Sequence, residues 1–380
     1  MTLNVPQEPA HDVGLRRLRA GVSGLLALLL LFTAPLSAQI NFQAAQLEQE
    51  ALDAFAAGDM ETAGRRFEQA LEHDPDSARL RLGAGAVAYR QQRYADARTF
   101  LEAALKLDPG LTTAHILLAQ MRHQSGDLFG AIRTLETVVA ADPDDTDSAD
   151  TLDRWRLEFK LLDQMEQRLS DHFTVSYEGP PEAALAIQAV EALDRAYWRI
   201  GQELSLYPLR PIPVVLYTTE QFRDITRSPD WAAGSYDGTA IRVPMRGATD
   251  TPAELDRVLA HEFAHVLIRE IAPRNVPAWL NEGLASALED QNLGWAARTV
   301  ERSAHSLSIE TLSGRFDELS TEDAQLAYAM SALAVRRLLD EAGGIALANL
   351  LRDLGQGIPL DEAFRHRLYR PLDDFLRGGF

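Results

Sequence analysis

Two stretches decide how this chain reads: His261-Glu262-Phe263-Ala264-His265, and Trp279-Leu280-Asn281-Glu282-Gly283-Leu284-Ala285. The first has the form H-E-x-x-H. On a helix that spacing puts two imidazoles one turn apart on one face, with a glutamate beside them. The second supplies a carboxylate, Glu282, shortly downstream. Two His and one Glu make a complete three-ligand set for a catalytic zinc with one coordination position left open.

The flanks predict a helix around the first stretch. Thr251 reads as N-cap, Pro252 as first helical residue and Glu254 as the closing member of a capping box. Leu255, Leu259, Phe263 and Val266 recur at helical spacing. His261 and His265 fall almost opposite that stripe, and Val258 and Ile268 share their side, so the helix is expected to be covered on both flanks. Pro273 ends it. A second helix opens near Pro277, with Leu280, Leu284 and Leu288 inward and Glu282 on the face of Ala278 and Ala285. A lone His pair on a helix is usually surface or satisfied core. Here it sits off the main apolar stripe, with an acidic residue on the next helix.

The paired motifs resemble those of gluzincin-type zinc metallopeptidases, and more narrowly the peptidase MA-like group, whose second motif reads W-x-N-E-G-x-A. The resemblance covers about residues 170–380. It implies a zincin-like domain, Zn²⁺ as cofactor, His261, His265 and Glu282 as its ligands, and Glu262 as catalytic base. It also implies a downstream Tyr or His that steadies the oxyanion. Tyr328 is the candidate; the competing reading is a core aromatic, and His305, His366 and Tyr236 are weaker alternatives. Ser286 and Glu289 are candidate acceptors behind the ligating imidazoles.

Residues 40–145 repeat with period 34. Asp74-Pro75, Asp108-Pro109 and Asp142-Pro143 keep the interval, as do Ala63, Ala97 and Ala131, and Phe67, Leu101 and Leu135. Gly58 and Gly126 flank Gln92 at the equivalent turn. This pattern resembles three tetratricopeptide (TPR) repeats. Such units bury their apolar faces against neighbours and leave a groove for an extended peptide or a partner helix; the alternative is that they only cap the catalytic part. The acidic stretch from Ala141 to Asp153 is either an exposed linker or the start of a capping helix through Trp155, Leu157 and Phe159 to about Leu169. The helix is favoured, because a terminal repeat needs a cover.

The expected fold is therefore mainly α with a small sheet: a TPR domain over 40–169, then a zincin-like domain over 170–380. The latter opens with strands at 172–177, 212–217 and 240–243, separated by helices at about 182–206 and 220–226. The third strand is either the edge that pairs with the substrate backbone or an ordinary hairpin arm. After Glu282 the chain reads as helical, with helices over about 321–342, 345–354 and 361–368.

Composition bounds the function. The 380 residues carry a net charge of −19, which argues against nucleic acid and anionic membrane surfaces as partners. A protein or peptide substrate, and a protein partner in the groove, are the expected ones. There are no cysteines, which excludes a Cys nucleophile, a Cys-ligated metal and any disulfide. Arg16, Arg17 and Arg19, the apolar run Gly24–Phe32 and the small residue Ala38 have the layout of a secretory signal peptide over 1–38. The apolar run is shorter than the ~20 residues of a membrane span. Export is expected, to the periplasm in a Gram-negative bacterium and otherwise out of the cell. Two readings compete: an exported zinc peptidase, and a TPR-based assembly or quality-control module with a weakly active or inactive zincin domain.

Overall fold

The computed structural model describes residues 36–226, 234–244, 251–290 and 292–377, with side chains from residue 42. The proposed signal segment lies outside the described residues except for Leu36–Ala38, which begin the first helix. Contacts divide the chain into two compact units, residues 1–118 and 119–380.

The first unit holds α1 (Leu36–Ala56), α2 (Met60–His73), α3 (Ala78–Arg90) and α4 (Tyr94–Leu107); α5 (Thr112–Gln124) runs across the division. The 34-residue period sets the helices directly. α2, α4 and the later α6 (Leu128–Ala141) begin at Met60, Tyr94 and Leu128. Ala63, Ala97 and Ala131 are all fully buried, and Phe67, Leu101 and Leu135 nearly so. Asp59 and Asp127 cap α2 and α6 through the amides of Thr62 and Gly130. The turn before each of these helices needs a left-handed residue, and Gly58, Gln92 and Gly126 have φ of 81°, 57° and 82°. Gln92 thus adopts the glycine conformation.

The second unit continues with α7 (Thr146–Gln164), β1 (Glu166–Leu169), β2 (Phe173–Tyr177), α8 (Ala183–Leu204), β3 (Ile212–Tyr217) and α9 (Thr219–Thr226). It goes on with β4 (Ser235–Tyr236), β5 (Ile241–Pro244), α10 (Pro252–Ile271) and α11 (Ala278–Glu289). It ends with α12 (Gly294–Arg302), α13 (Ile309–Ser313), α14 (Thr321–Ala342), α15 (Gly344–Gly355), α16 (Leu360–Leu368) and α17 (Leu372–Arg377). The protein is mainly helical with one small sheet, and tetratricopeptide helices precede the catalytic-type domain. Among the described residues no helix is long and apolar enough to cross a membrane.

The sheet has the order β1-β2-β3-β5-β4. β2, β3 and β5 are parallel, and the outer strands are antiparallel to their neighbours. Alternation gives it two faces. Val175, Val214, Ile241 and Val243 enter the main core with α8, α10, α11 and α14. Val215, Tyr217 and Ala240 face Leu161, Leu162 and Met165 at the end of α7.

One expectation is corrected here, and one open alternative is decided. The acidic stretch does form a helix, capped by Asp145 through the Ser148 amide, but it stops at Gln164 instead of Leu169. Glu166–Leu169 is exposed along its whole length and takes its strand state from pairing with β2. The third expected strand, β5, is no sheet edge: β3 pairs one side and β4 the other, so the hairpin-arm reading holds and β4 is the edge. By their contacts, α6 and α7 belong to the second compact unit, 119–380. Glu158 of α7 lies 2.6 Å from Arg242 of β5, both nearly buried, which ties α7 to the sheet.

Candidate metal centre

α10 forms as its flanks require. Thr251 caps it through the Glu254 amide, and Pro252 fills the first position, where no amide partner is lost. Leu255, Leu259, Phe263 and Val266 are buried, and so are Val258 and Ile268 on the imidazole side. Both flanks are covered, leaving His261 and His265 half-buried between them. The turn to α11 is pinned to the end of α15: Arg274 Nε donates to the Gly355 carbonyl and Asn275 Nδ2 to that of Leu354. Asn275 holds a left-handed conformation there, φ 64°. α11 then packs on α10, and Glu282 rises beside the imidazoles.

The three expected ligands converge. His261 Nε2 and His265 Nε2 are 3.1 Å apart. Glu282 Oε2 lies 3.7 Å from the first and 3.6 Å from the second. Among the described residues these three form the one group of His and carboxylate side chains able to hold a metal ion. The far nitrogens are also engaged. His261 Nδ1 sits 2.6 Å from Glu289 Oε2, and His265 Nδ1 sits 3.3 Å from Asn281 Oδ1. Both partners are acceptors, so each Nδ1 carries a proton, and once Nε2 gives up its own proton, as metal binding requires, both lone pairs would point inward. Three electron-pair donors then face one another, and a shared cation satisfies all of them. Burial alone would lower the His261 pKa, but hydrogen bonds to Glu282 and Glu289 outweigh it and push it up to about 10. The same imidazoles hold the Glu282 carboxyl well below the usual range against its burial. The pocket draws in positive charge.

Of the two acceptors read as possible from sequence, Glu289 is the partner of His261; Ser286 is buried and takes neither imidazole. Glu289 also receives Arg257 Nη1 at 3.1 Å. Asn281, inside the W-L-N-E-G stretch, is the residue that sequence reasoning missed. Its signal was its place next to a ligand on the helix facing the imidazoles.

Glu262 is not one of the three converging side chains and is buried, 6% exposed. Burial raises its pKa against the pull of His265 and His261. The backbone of Gly234 passes so close that a Cβ there would sit 2.7 Å from Glu262 Oε1. A larger residue at 234 would have to displace the Glu262 side chain.

Tyr328, on α14, turns its hydroxyl toward Glu282 while its ring packs edge-on against Phe316, 5.2 Å between centroids. Burial first, then the charges of Glu282 and Glu262, push its pKa far up, so it stays a donor. Two of the alternatives are engaged elsewhere. His305 is exposed and pairs with Asp323 at 2.9 Å, and His366 is exposed beside Glu362. Tyr236 lies on β4 within the influence of Arg269, Asp237 and Glu270.

Residues 192–369 match the model of the peptidase MA superfamily, and residues 48–112 and 88–152 match two tetratricopeptide repeat models. Solved structures give partial similarities. The first TPR domain of Spaghetti (RPAP3) bound to an HSP90 peptide is 18% identical over 32% of this chain and 95% of that one, TM-score 0.31. The second TPR domain of human RPAP3 with an HSP70 peptide is 21% identical over 31% and 98%, TM-score 0.29. A mutant Thermobaculum terrenum O-GlcNAc transferase is 19% identical over 63% and 45%, TM-score 0.30. No curated protein matches the chain.

Proposed function

We propose that this chain, which joins tetratricopeptide repeats to a domain of the peptidase MA superfamily, is an exported zinc-dependent peptidase. It hydrolyses peptide bonds in a protein or peptide substrate, with the repeats holding that substrate or a partner. The observation that carries this reading is the closed set of donors: three inward lone pairs, with an acceptor behind each imidazole and Glu262 alongside. A tetrahedral zinc with bonds of about 2.0–2.1 Å separates its ligand atoms by about 3.4 Å. The separations of 3.1, 3.6 and 3.7 Å bracket that value.

His261, His265 and Glu282 would hold the ion, which would supply a Lewis acid for the scissile carbonyl and raise the acidity of water. Glu289 and Asn281 keep both rings in the tautomer that leaves Nε2 free. Glu262, its basicity raised by burial, takes the proton of the attacking water and delivers it to the departing amine. Tyr328, neutral at working pH, donates a hydrogen bond to the oxygen that becomes negative. Export rests on the signal-like segment over residues 1–38.

Glu262→Gln separates chemistry from scaffolding. It keeps side-chain size and leaves the three ligands alone, so zinc content should stay at about one per chain. Hydrolysis of an unfolded protein should fall by about 10²–10⁴. A zinc-loaded variant that fully replaces the wild type in the cell would place the working part in the repeats, the competing reading.

A further inference from the structure

We propose that Arg242 is a positioning residue for Glu262: through Asp237 and Glu158 it holds the β4–β5 hairpin, and with it the Gly234 backbone, over the Glu262 carboxyl. This rests on the reading of Glu262 as the residue that moves the proton.

β5 is held by β3 and the core, whereas β4, the arm that carries Gly234 to Glu262, has only a short ladder. β4 is two residues long, and its ladder is Ser235 against Arg242 and Tyr236 against Ile241. Gly234 immediately precedes that ladder and lies on Glu262. A small shift of β4 therefore changes what touches the Glu262 carboxyl. Ile241 and Val243 anchor one face of β5 in the core shared with α10. Arg242 points to the other face, 5% exposed. There Nη1 lies 2.6 Å from Asp237 Oδ2 and Nη2 lies 2.6 Å from Glu158 Oε1. Asp237 is the hinge of the turn: its Oδ1 accepts from the amides of Thr239 and Ala240 and from the Thr239 hydroxyl. Glu158 is steadied in turn by His123 Nε2 at 3.3 Å, whose ring stacks on Trp155 at 4.7 Å. The guanidinium thus fastens the turn of the hairpin to α7. On the opposite side Gly238, φ 96°, sits against the Arg269 guanidinium of α10; a Cβ there would lie 2.6 Å from it. The hairpin is gripped between the zinc-site helix and the helix that ends the repeats.

A sub-ångström to ångström displacement at a reacting group lowers rate more than it lowers affinity. The decisive variant is Glu158→Met/Arg242→Met in the full chain. It removes both buried charges together, which proteins tolerate far better than stranding one, and leaves Asp237 to water. Amide hydrogen exchange over residues 235–243 should speed up by about tenfold or more, while α10, zinc content and helical circular dichroism stay as in the wild type. On labelled casein, kcat should fall by about 10- to 100-fold with KM changed far less. A purely structural role would lower melting temperature and zinc content together without that split. Wild-type exchange and wild-type kcat would overturn the proposal. Should the double variant not fold, Asp237→Asn, at a partly solvated site, decides by the same exchange measurement: unchanged protection overturns. Casein hydrolysis that Glu262→Gln leaves intact would sink the peptidase reading alone, with the exchange result still judging Arg242.

Discussion

Gly283 and Ser331 meet backbone to backbone: a Cβ on Gly283 would lie 2.4 Å from the Ser331 carbonyl oxygen. Gly283 follows the candidate ligand Glu282, and Ser331 lies one turn beyond Tyr328. Their contact lets α11 and α14 close until the tyrosine hydroxyl reaches the ligand carboxylate.

Gly283→Ala should force the two helices apart. Overpacking of this kind costs about 1–3 kcal/mol, and the melting temperature should drop by several degrees. Zinc bound per chain should fall as well, because Glu282 moves with the helix. A variant with wild-type melting and wild-type zinc would show that the contact is slack.

Glu289→Gln keeps an acceptor oxygen but loses the charge that faces His261 and Arg257. Loss of such a partner behind a ligand typically weakens metal binding by about 10–100-fold. Competition with a zinc chelator should show this, and undiminished affinity would remove Glu289 from the account.

Tyr328→Phe removes one hydroxyl from a ring already packed on Phe316. If that hydroxyl stabilises developing negative charge, kcat should fall by about 10²–10³ with KM nearly unchanged. Zinc content should not move. Full activity would assign the tyrosine to packing.

Asp237 gives an acid-side signature. Burial alone would raise its pKa from 3.8, but Arg242 and the Thr239 hydrogen bonds outweigh it and hold it at about 2. The unfolded chain therefore binds more protons between those values. The stabilisation is present above pH about 4 and is lost as pH falls through about 2. The difference in denaturation midpoint between wild type and Asp237→Asn should shrink across that window. A difference constant from neutral pH to pH about 2 would contradict it.

Gln92→Gly tests the repeat turn. A left-handed residue with a Cβ costs about 1–2 kcal/mol, and glycine gives back about 0.4–1 kcal/mol through the freer unfolded chain. The variant should be more stable, or equal at worst, by chemical denaturation. A clear loss of stability would mean that the Gln92 side chain has a role of its own.

Features carried by local repetition were readable from sequence. The 34-residue interval locates the starts of α2, α4 and α6, and the Thr251-Pro252-Ala253-Glu254 string locates the start of α10, because turns and caps are decided within a few residues. The convergence of His261, His265 and Glu282 followed from helix periodicity plus a facing helix. What escaped depends on distant partners. Glu166–Leu169 carries no strand pattern and is a strand only because β2 lies beside it. The partnership of His265 with Asn281, and of Arg242 with Glu158, needed the folded chain to bring the pairs together.

The separation of 84 positions between Glu158 and Arg242 also imposes an order in time. During synthesis α7 is complete well before β5 exists. Until β5 arrives, Glu158 has His123 beside it but no guanidinium to meet, so its charge is only partly compensated. The last helix of the repeat region can pack on α6 when its own sequence is finished, but it reaches its final pairing only with the sheet. A chain interrupted anywhere between the two leaves that carboxylate without its strongest partner.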